Sequence, residues 1–373
     1  MIALDYASNT PADERVLDAF LRCEREFAGN PSASHPLGLA AGERLAGAQA
    51  RIAEMLAVRS EELIFLSGAS EANNLAIKGL ARAGRHRGKH ILSSPLEHDS
   101  ASGALLALQE QGYEVEMLDI LPSGEIDLDQ LRDSLRDDTI LLALSLVDSE
   151  LGAIQPISRI IELLKAAPNC RLHLDATQAV GKIPVSFEGI DTMSLAPHKF
   201  HGLNGSGLLI KREGVELEPL IHGGKSQSIY RSGTPALALA VAMETALFLA
   251  LEARQARFLH VAALRKALEE GLGGYKKLKI NSPKGGSPYI LNLSVEGVRG
   301  ETFQRRFGDE GVCVSVKSAC STPGTPSRPV YAISHDRRNA LNSWRISLCA
   351  LNTTEDISGF LAIFKDLYEE LSA

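Results

Sequence analysis

Thr139-Ile-Leu-Leu-Ala-Leu-Ser-Leu-Val147 is an uncharged, largely apolar run that reads as one long strand. The chain on either side repeats a single theme. Downstream, Ile157 to Ala166 has helical spacing, and Arg171 to Leu174, Thr192 to Leu195 and Gly207 to Ile210 are strand-like. Upstream, Leu63-Ile-Phe-Leu66, His90-Ile-Leu-Ser93 and Tyr113 to Leu118 read as strands. Helical stretches lie between them: Glu71 to Arg82, a segment ending at Gln111, and Leu128 to Leu135. Short apolar strands alternating with amphipathic helices predict an α/β fold, a mostly parallel sheet with helices on both faces. In such sheets ligands sit beyond the carboxyl ends of the strands.

Past Pro235 the pattern changes. A long helical region, Pro235 to Gly271, precedes strands near Tyr289 to Leu293 and Val312 to Ser315. A terminal helix is predicted from Thr353, with Glu355 and Asp356 in the first turn, where acidic side chains suit the helix dipole. This reads as a smaller α+β domain completed by the N-terminal segment. A 373-residue chain with 45% hydrophobic content supports a large and a small core.

A net charge of -7 speaks against direct nucleic-acid binding, which needs a basic face. The basic run from Arg82 to Lys89 reads as a solvated helix end and loop. Met1-Ile-Ala-Leu-Asp-Tyr6 does not read as a signal peptide, and no apolar run approaches the roughly 20 residues that span a bilayer. The five cysteines, Cys23, Cys170, Cys313, Cys320 and Cys349, are odd in number and form no Cys-x-x-Cys. Neither a disulfide framework nor a metal site is expected, and a reducing cytoplasm is.

Four motifs fall at predicted strand-to-loop transitions. Ser67-Gly-Ala-Ser-Glu-Ala-Asn-Asn74 follows a strand and opens a helix, where Gly68 allows a tight turn and free N–H groups can hold a phosphate. Taken alone it is equally an ordinary helix cap. In His173-Leu-Asp-Ala-Thr-Gln178, Asp175 ends a strand and can pair with a protonated pyridine nitrogen; Gln178 can hydrogen-bond a ring oxygen. A capping aspartate and a polar loop glutamine read just as simply. In Ser194-Leu-Ala-Pro-His-Lys-Phe-His-Gly202, Lys199 is held in a tight turn, as a Schiff-base lysine must be, although most lysines after strands are merely solvated. In Leu96-Glu-His-Asp99, His98 can stack on a flat cofactor and move protons, or simply be a bonded loop histidine.

Together with other segments, these motifs resemble the class V aminotransferase group of fold-type-I pyridoxal 5'-phosphate (PLP) enzymes, and within it the cysteine desulfurases. The resemblance covers nearly the whole chain. Leu4-Asp-Tyr-Ala7, Gly29-Asn-Pro-Ser32, Ser34-His35, Ser67-Gly-Ala-Ser-Glu71, Asn74-Leu-Ala-Ile-Lys-Gly79, His98, Asp175-Ala-Thr-Gln-Ala-Val-Gly-Lys182, His198-Lys199, Arg231-Ser-Gly-Thr234, Ser318-Ala-Cys320 and Trp344-Arg-Ile-Ser-Leu348 follow in the family's order.

The resemblance implies a large PLP-binding domain over 13–250. It assigns 1–12 and 251–373 to a small domain carrying the cysteine loop and the substrate-carboxylate arginine. It implies that Lys199 carries PLP, His98 stacks on the ring, Asp175 pairs with the pyridine nitrogen and Gln178 with the ring oxygen. Ser70, backbone N–H groups at Ala69 and Ser70, and His198 would bind the phosphate. Arg231 and Thr234 would reach the phosphate of a second subunit, so a homodimer is implied. Arg345 would clamp the carboxylate of L-cysteine, a bidentate task suited to a guanidinium.

Free cysteines are usually buried and inert, and Cys23, Cys170, Cys313 and Cys349 are read so. Cys320 instead precedes Ser-Thr-Pro-Gly-Thr-Pro-Ser-Arg-Pro329, which cannot be regular helix or central strand, so it is placed at the head of an exposed loop. The resemblance implies that Lys199 removes the α-proton, that Cys320 takes the substrate sulfur as a persulfide and alanine leaves, and that His98 handles protons on sulfur. The sulfur would pass to an acceptor such as an iron–sulfur scaffold or to thio-cofactor synthesis.

The chain departs from the family pattern at several points. Asn-Asn-Glu-x-Gly reads Asp148-Ser-Glu-Leu-Gly152 here, and an ionised Asp148 beside the ring oxygen would repel both it and the substrate carboxylate, with Ser149 a substitute donor. Ala196 stands where a phosphate-binding serine is usual, Lys225 and Gln227 replace a glycine and a glutamate, and Cys349-Ala350 replaces Gly-Arg. Two further readings stay open on these residues: another PLP reaction, such as selenocysteine lysis or aminotransfer, and a catalytically weak homologue that acts as a binding partner.

Overall fold

The computed structural model describes residues 1–224, 228–317 and 324–372. Cys320, Lys225 and Gln227 therefore lie outside the described residues.

Strand β1 (Ile2–Ala3) leads to helices α1 (Glu14–Glu26) and α2 (Pro36–Leu56). Strands and helices then alternate: β2 (Leu63–Leu66), α3 (Ala69–Gly84), β3 (His90–Ser93), α4 (Asp99–Gln109), β4 (Glu114–Met117), α5 (Leu128–Ser134), β5 (Thr139–Ser145), α6 (Ile157–Leu164) and β6 (Arg171–Asp175). Next come β7 (Thr192–Leu195), β8 (Gly207–Lys211), α7 (Leu237–Glu252) and α8 (Arg254–Leu272). The C-terminal part holds β9 (Leu278–Ile280), β10 (Ile290–Val295), α9 (Gly300–Asp309), β11 (Val312–Cys313), α10 (Arg328–Ser334), α11 (Arg337–Asn342), β12 (Ser343–Ser347) and α12 (Thr354–Leu371).

The large sheet has the order β2-β8-β7-β6-β5-β3-β4. β4, β3, β5, β6 and β7 are parallel; β8 adds antiparallel to β7, and β2 antiparallel to β8, so β8 alone runs against the rest of this sheet. β5 is buried along its whole length because both sheet faces are covered. Leu142 and Leu144 join one core cluster and Leu141 and Ala143 the other, as strand alternation requires. The parallel strands end together, so Ser93, Ser145 and Asp175 come to one side of the sheet. Gly207 is required at the β2–β8 edge: a Cβ there would stand 2.4 Å from the Gly68 carbonyl carbon.

A second core is built by the antiparallel sheet β12-β10-β9 and by α8, α9 and α12. Trp344, Phe303, Phe307, Phe360 and Phe364 fill it, and β1, paired parallel to β11, ties the N-terminal segment to it. The Thr353 hydroxyl and the Asp356 carboxylate cap α12 reciprocally.

Two expectations change. The long helical region breaks at Ala253, because α7 packs on α1 and α2 whereas α8 serves the second core through Val261, Leu264 and Leu268. Cys313 is exposed rather than buried: in β11, Val312 points inward, and alternation turns Cys313 out. The alternation read from residue 60 onward also left α1 and α2 unassigned. No helix among the described residues is long and apolar enough to cross a membrane.

Candidate active site

A cavity of about 390 Å³ opens beyond the carboxyl ends of the strands. Its wall includes Ala69, Ser70, His98, Ser149, Asp175, Gln178, His198, Lys199 and Arg345, all singled out in the sequence. Arg231 and Thr234 are not brought into it. They line a neighbouring recess, and Arg231 Nε donates at 3.1 Å to Glu71, which stands on the cavity wall.

Each wall residue is held by the element that carries it. Lys199 follows β7 in a short turn, and its Nζ donates to the carbonyls of Ala7 at 2.9 Å and Ser8 at 2.6 Å. That N-terminal segment is pinned over the lysine turn, where Thr10 Oγ1 donates to the His198 carbonyl at 2.8 Å. Burial, reinforced by Lys199 and Lys182, pushes the His198 imidazole down to about 4, so the ring is neutral at ordinary pH. The first turn of α3 has no side-chain cap, which leaves its backbone N–H groups for an anion. Glu71 does not cap that turn; it accepts from the Ser67 amide at 2.7 Å and the Ser67 hydroxyl at 2.6 Å.

Asp175 ends β6, where its carboxylate accepts from the Thr177 amide at 2.9 Å and from Asn73 Nδ2 at 2.7 Å. Asn73 was not singled out in the sequence, although it lies within the Ser67–Asn74 motif. It is fully buried, and its amide is completely used. Nδ2 also donates to Ser100 Oγ at 2.9 Å, and Oδ1 meets His173 Nε2 at 3.1 Å and the Ser194 hydroxyl. His98 belongs to the same network as the N-cap of α4. Its Nδ1 accepts from the Ser100 amide at 3.1 Å and lies 2.9 Å from Ser100 Oγ. A backbone donor on Nδ1 places the proton of the neutral ring on Nε2. The chain Asp175–Asn73–Ser100–His98 thus fixes both the carboxylate and the histidine tautomer. The only sequence signal for Asn73 was a buried polar side chain on the inner face of a helix.

A second buried acid sits behind this wall. Glu97 accepts from the hydroxyls of Ser94 and Ser145, both at 2.8 Å. Burial raises its pKa to about 7, against those two hydrogen bonds. Ser145 itself lines the cavity.

Asp148 is not where its place in the motif suggested. It is 1% exposed and its carboxylate turns back on its own loop, accepting from the amides of Glu150 and Leu151. It does not line the cavity, whereas Ser149 does. Burial, then the neighbouring Glu150, pushes the Asp148 pKa up to about 7. Asp148 therefore presents no carboxylate on the cavity wall. Ala196 is wholly buried and also stays off the cavity wall.

Arg345, on β12, reaches across from the second core. Its terminal nitrogens donate to the Ser149 carbonyl at 2.8 Å, Asp5 at 2.6 Å and Ser8 Oγ at 2.9 Å, while Nε is buried without a partner. At the start of α10, Ser327 and Arg328 bond to residues next to Ser149 and His98 in the chain. Ser327 Oγ donates to Glu150 at 2.6 Å, and Arg328 Nη2 donates to Asp99 at 2.7 Å and to the Glu97 carbonyl at 3.1 Å. Cys23, Cys170 and Cys349 are buried free thiols, the last two raised by burial to about 12 and about 11.

A lysine, a carboxylate and an uncapped helix start meeting at strand ends have the form of the PLP-dependent enzymes of fold type I. The model for the class-V aminotransferase family matches residues 2–360, and the chain belongs to that family. It is similar to the NifS/IcsS protein homolog of Lactobacillus delbrueckii subsp. bulgaricus, 34% identical over 100% of this chain and 98% of that protein. The cysteine desulfurase IscS of Aeromonas salmonicida is 37% identical, with 98% of this chain and 92% of that one covered. A solved NifS-like protein superposes with a TM-score of 0.93 at 31% identity, covering 99% of this chain and all 100% of that one. A structure described as SspA in complex with cysteine gives 0.82 at 30% identity over 95% of this chain and 100% of its own.

The residues present fit the cofactor that the family implies. The cavity has room for a phosphorylated pyridine, the start of α3 offers donors, and Thr177 Oγ1, on the wall, is buried without a partner.

Proposed function

We propose that this chain is a PLP-dependent cysteine desulfurase that converts L-cysteine to L-alanine and leaves the sulfur as a persulfide on Cys320. The observation that carries the reading is the convergence of Lys199, Asp175 and the uncapped start of α3 on one cavity. PLP, carried by Lys199 until substrate displaces that amine, would supply an electron sink for a carbanion at the substrate α-carbon. Ala69, Ser70 and His198 would hold its phosphate, His98 its ring face and Gln178 its ring oxygen. Asp175 would keep a proton on the pyridine nitrogen, with Asn73 holding that carboxylate in place.

This chain's residues would do the rest. Lys199 takes the α-proton. Arg345, with its unpartnered Nε, and Ser149 bind the carboxylate. The Cys320 thiolate attacks the substrate sulfur: a sulfur–sulfur bond forms, the carbon–sulfur bond breaks, and the electron pair stays on the substrate, which leaves as alanine after protonation. His98 exchanges protons with sulfur through Nε2.

The reading extends to the assembly. The domain division at 13–250 against 1–12 and 251–373 is supported by the two separate cores and by the break at Ala253. A homodimer is supported by Arg231 and Thr234, which lie outside the cavity of their own chain. A cytoplasmic setting, and a sulfur acceptor such as an iron–sulfur scaffold, belong to the same proposal.

The test uses purified, PLP-loaded protein with L-cysteine and a thiol reductant, beside Cys320→Ala. Wild type should make alanine and sulfide. The variant should keep the PLP absorbance and lose at least about 90% of sulfide release, since the nucleophile is gone. Wild type that binds PLP but makes neither product would overturn the proposal and favour other amino acids or a binding role.

A further inference from the structure

Lys182 closes the Asp175-Ala-Thr-Gln-Ala-Val-Gly-Lys182 motif, yet the chemistry above leaves it without a task. It is 6% exposed. A buried ammonium is costly unless it is paired, and among the described residues no carboxylate forms an ion pair with it. Its surroundings are mainly cationic or neutral: Lys199, Arg345, His198 and Cys349 all interact with it electrostatically, and Arg257, His201 and Tyr289 share its small cavity. Burial, then Lys199, pushes its pKa down to about 7. Two contacts compensate. Nζ donates to Gln178 Oε1 at 2.7 Å and stands 5.7 Å from the centre of the Tyr289 ring.

The contact with Gln178 has a chemical consequence. A carboxamide has two similar ends, one accepting and one donating. Gln178 Nε2 donates to the Ala7 carbonyl at 2.9 Å, the same carbonyl that receives Lys199 Nζ. A flipped amide would set its carbonyl against that of Ala7 and its NH2 against the ammonium, two repulsive contacts in place of two bonds. Held as it is, Gln178 keeps its second N–H for the cavity it lines. A donor there suits an anionic ring oxygen, whereas a carbonyl would repel one.

We propose that Lys182 is a positioning residue of the cofactor site, which locks the Gln178 amide with its donor side toward the Ala7 carbonyl and the cavity. The inference rests on the PLP reading above and gives Lys182 a role through Gln178 alone. The test is a double-mutant cycle read by PLP retention rather than turnover. Wild type, Lys182→Met, Gln178→Ala, the double variant and Lys182→Gln are stripped and reconstituted, and PLP dissociation is followed by absorbance. Circular dichroism checks folding.

Lys182→Met and Gln178→Ala should each weaken retention about tenfold, the scale of one charge-assisted hydrogen bond. The double variant should be no weaker than Gln178→Ala, because the two act as a unit. Lys182→Gln keeps an N–H donor and should stay within about twofold of wild type, inside the error of such cycles. Additive losses, or full retention in Lys182→Met, overturn the proposal. If Lys182→Met does not fold, Lys182→Gln decides: a loss as large as that of Gln178→Ala overturns it. Wild type that takes up no PLP at all would instead overturn the cofactor reading.

Discussion

Asp175 and Asp148 are two buried aspartates that follow adjacent parallel strands, and the fold gives them opposite lives. Asp175 ends β6 facing the cavity, with each carboxylate oxygen met by a donor, one from the Thr177 amide and one from Asn73. Asp148 lies just past β5 and faces away from the cavity. One of its oxygens takes both loop amides, and the other is buried without a partner. Burial wins at Asp148 and raises its pKa to about 7. Both carboxyl groups lie at or just past the end of a strand, so the difference in their hydrogen bonding comes from what the rest of the molecule aims at each.

The strongest way to break this contrast is Asp175→Ala. Removing this carboxylate from the cavity wall should cut the rate of alanine formation by about a hundredfold or more, the scale of a lost electrostatic partner in a closed site. Stopped-flow with L-cysteine checks it, and a rate near wild type would erase the distinction.

Asn73→Ala should come next. It strips Asp175, Ser100, His173 and Ser194 of a shared partner and should cost roughly 2–4 kcal/mol of stability, with activity falling about tenfold. Urea unfolding beside the same assay separates the two effects. A stable variant with normal activity would mean that the network does not hold Asp175.

The smallest effect on activity is expected from Asp148→Asn, within about twofold of wild type, because the side chain is off the cavity wall. Its signature is in stability against pH. The folded pKa of about 7 lies above the unfolded value of about 4, so the protein binds more protons than the unfolded chain across that window. Asp148's own contribution to stability should therefore fall as pH rises from about 4 to about 7. The variant should gain on wild type by up to about 2–4 kcal/mol, reaching a plateau above pH 7. Glu97, raised for the same reason, acts in the same direction and His198, lowered to about 4, in the opposite one; both are common to the two proteins, so the difference between the curves reports Asp148. Melting curves across pH sharpen the comparison, and parallel curves for the two proteins would remove it.

Much of the fold was legible because β5 is a largely apolar run that a sheet covered on both faces buries, with short strand-like segments recurring on either side of it. Lys199, Asp175 and His98 were singled out because they follow predicted strands, where such sheets place their ligands, and because the ordered motifs that hold them resemble a known family. Asn73 and Lys182 were not, since a polar residue in a helix or turn shows nothing of its partners until distant segments meet. Asn73 Oδ1 and His173 Nε2, 3.1 Å apart, are 100 residues apart in the chain. Cys313 and the Ala253 break were misread for a related reason: which side of a short strand is covered, and where a helix must turn, depend on a second core that local pattern does not reveal.

The sequence by itself determined the strand–helix alternation and the order of the chemical motifs, since these follow from periodicity and from the residues the motifs contain. Only the tertiary structure decided which polar groups became wall and which became support. It turned Asp148 onto its own loop, placed Asn73 between Asp175 and Ser100, and set Arg231 against Glu71 outside the cavity. The physical reason is that a buried polar group takes its role from the partners that satisfy it, and those partners come together only when the chain folds.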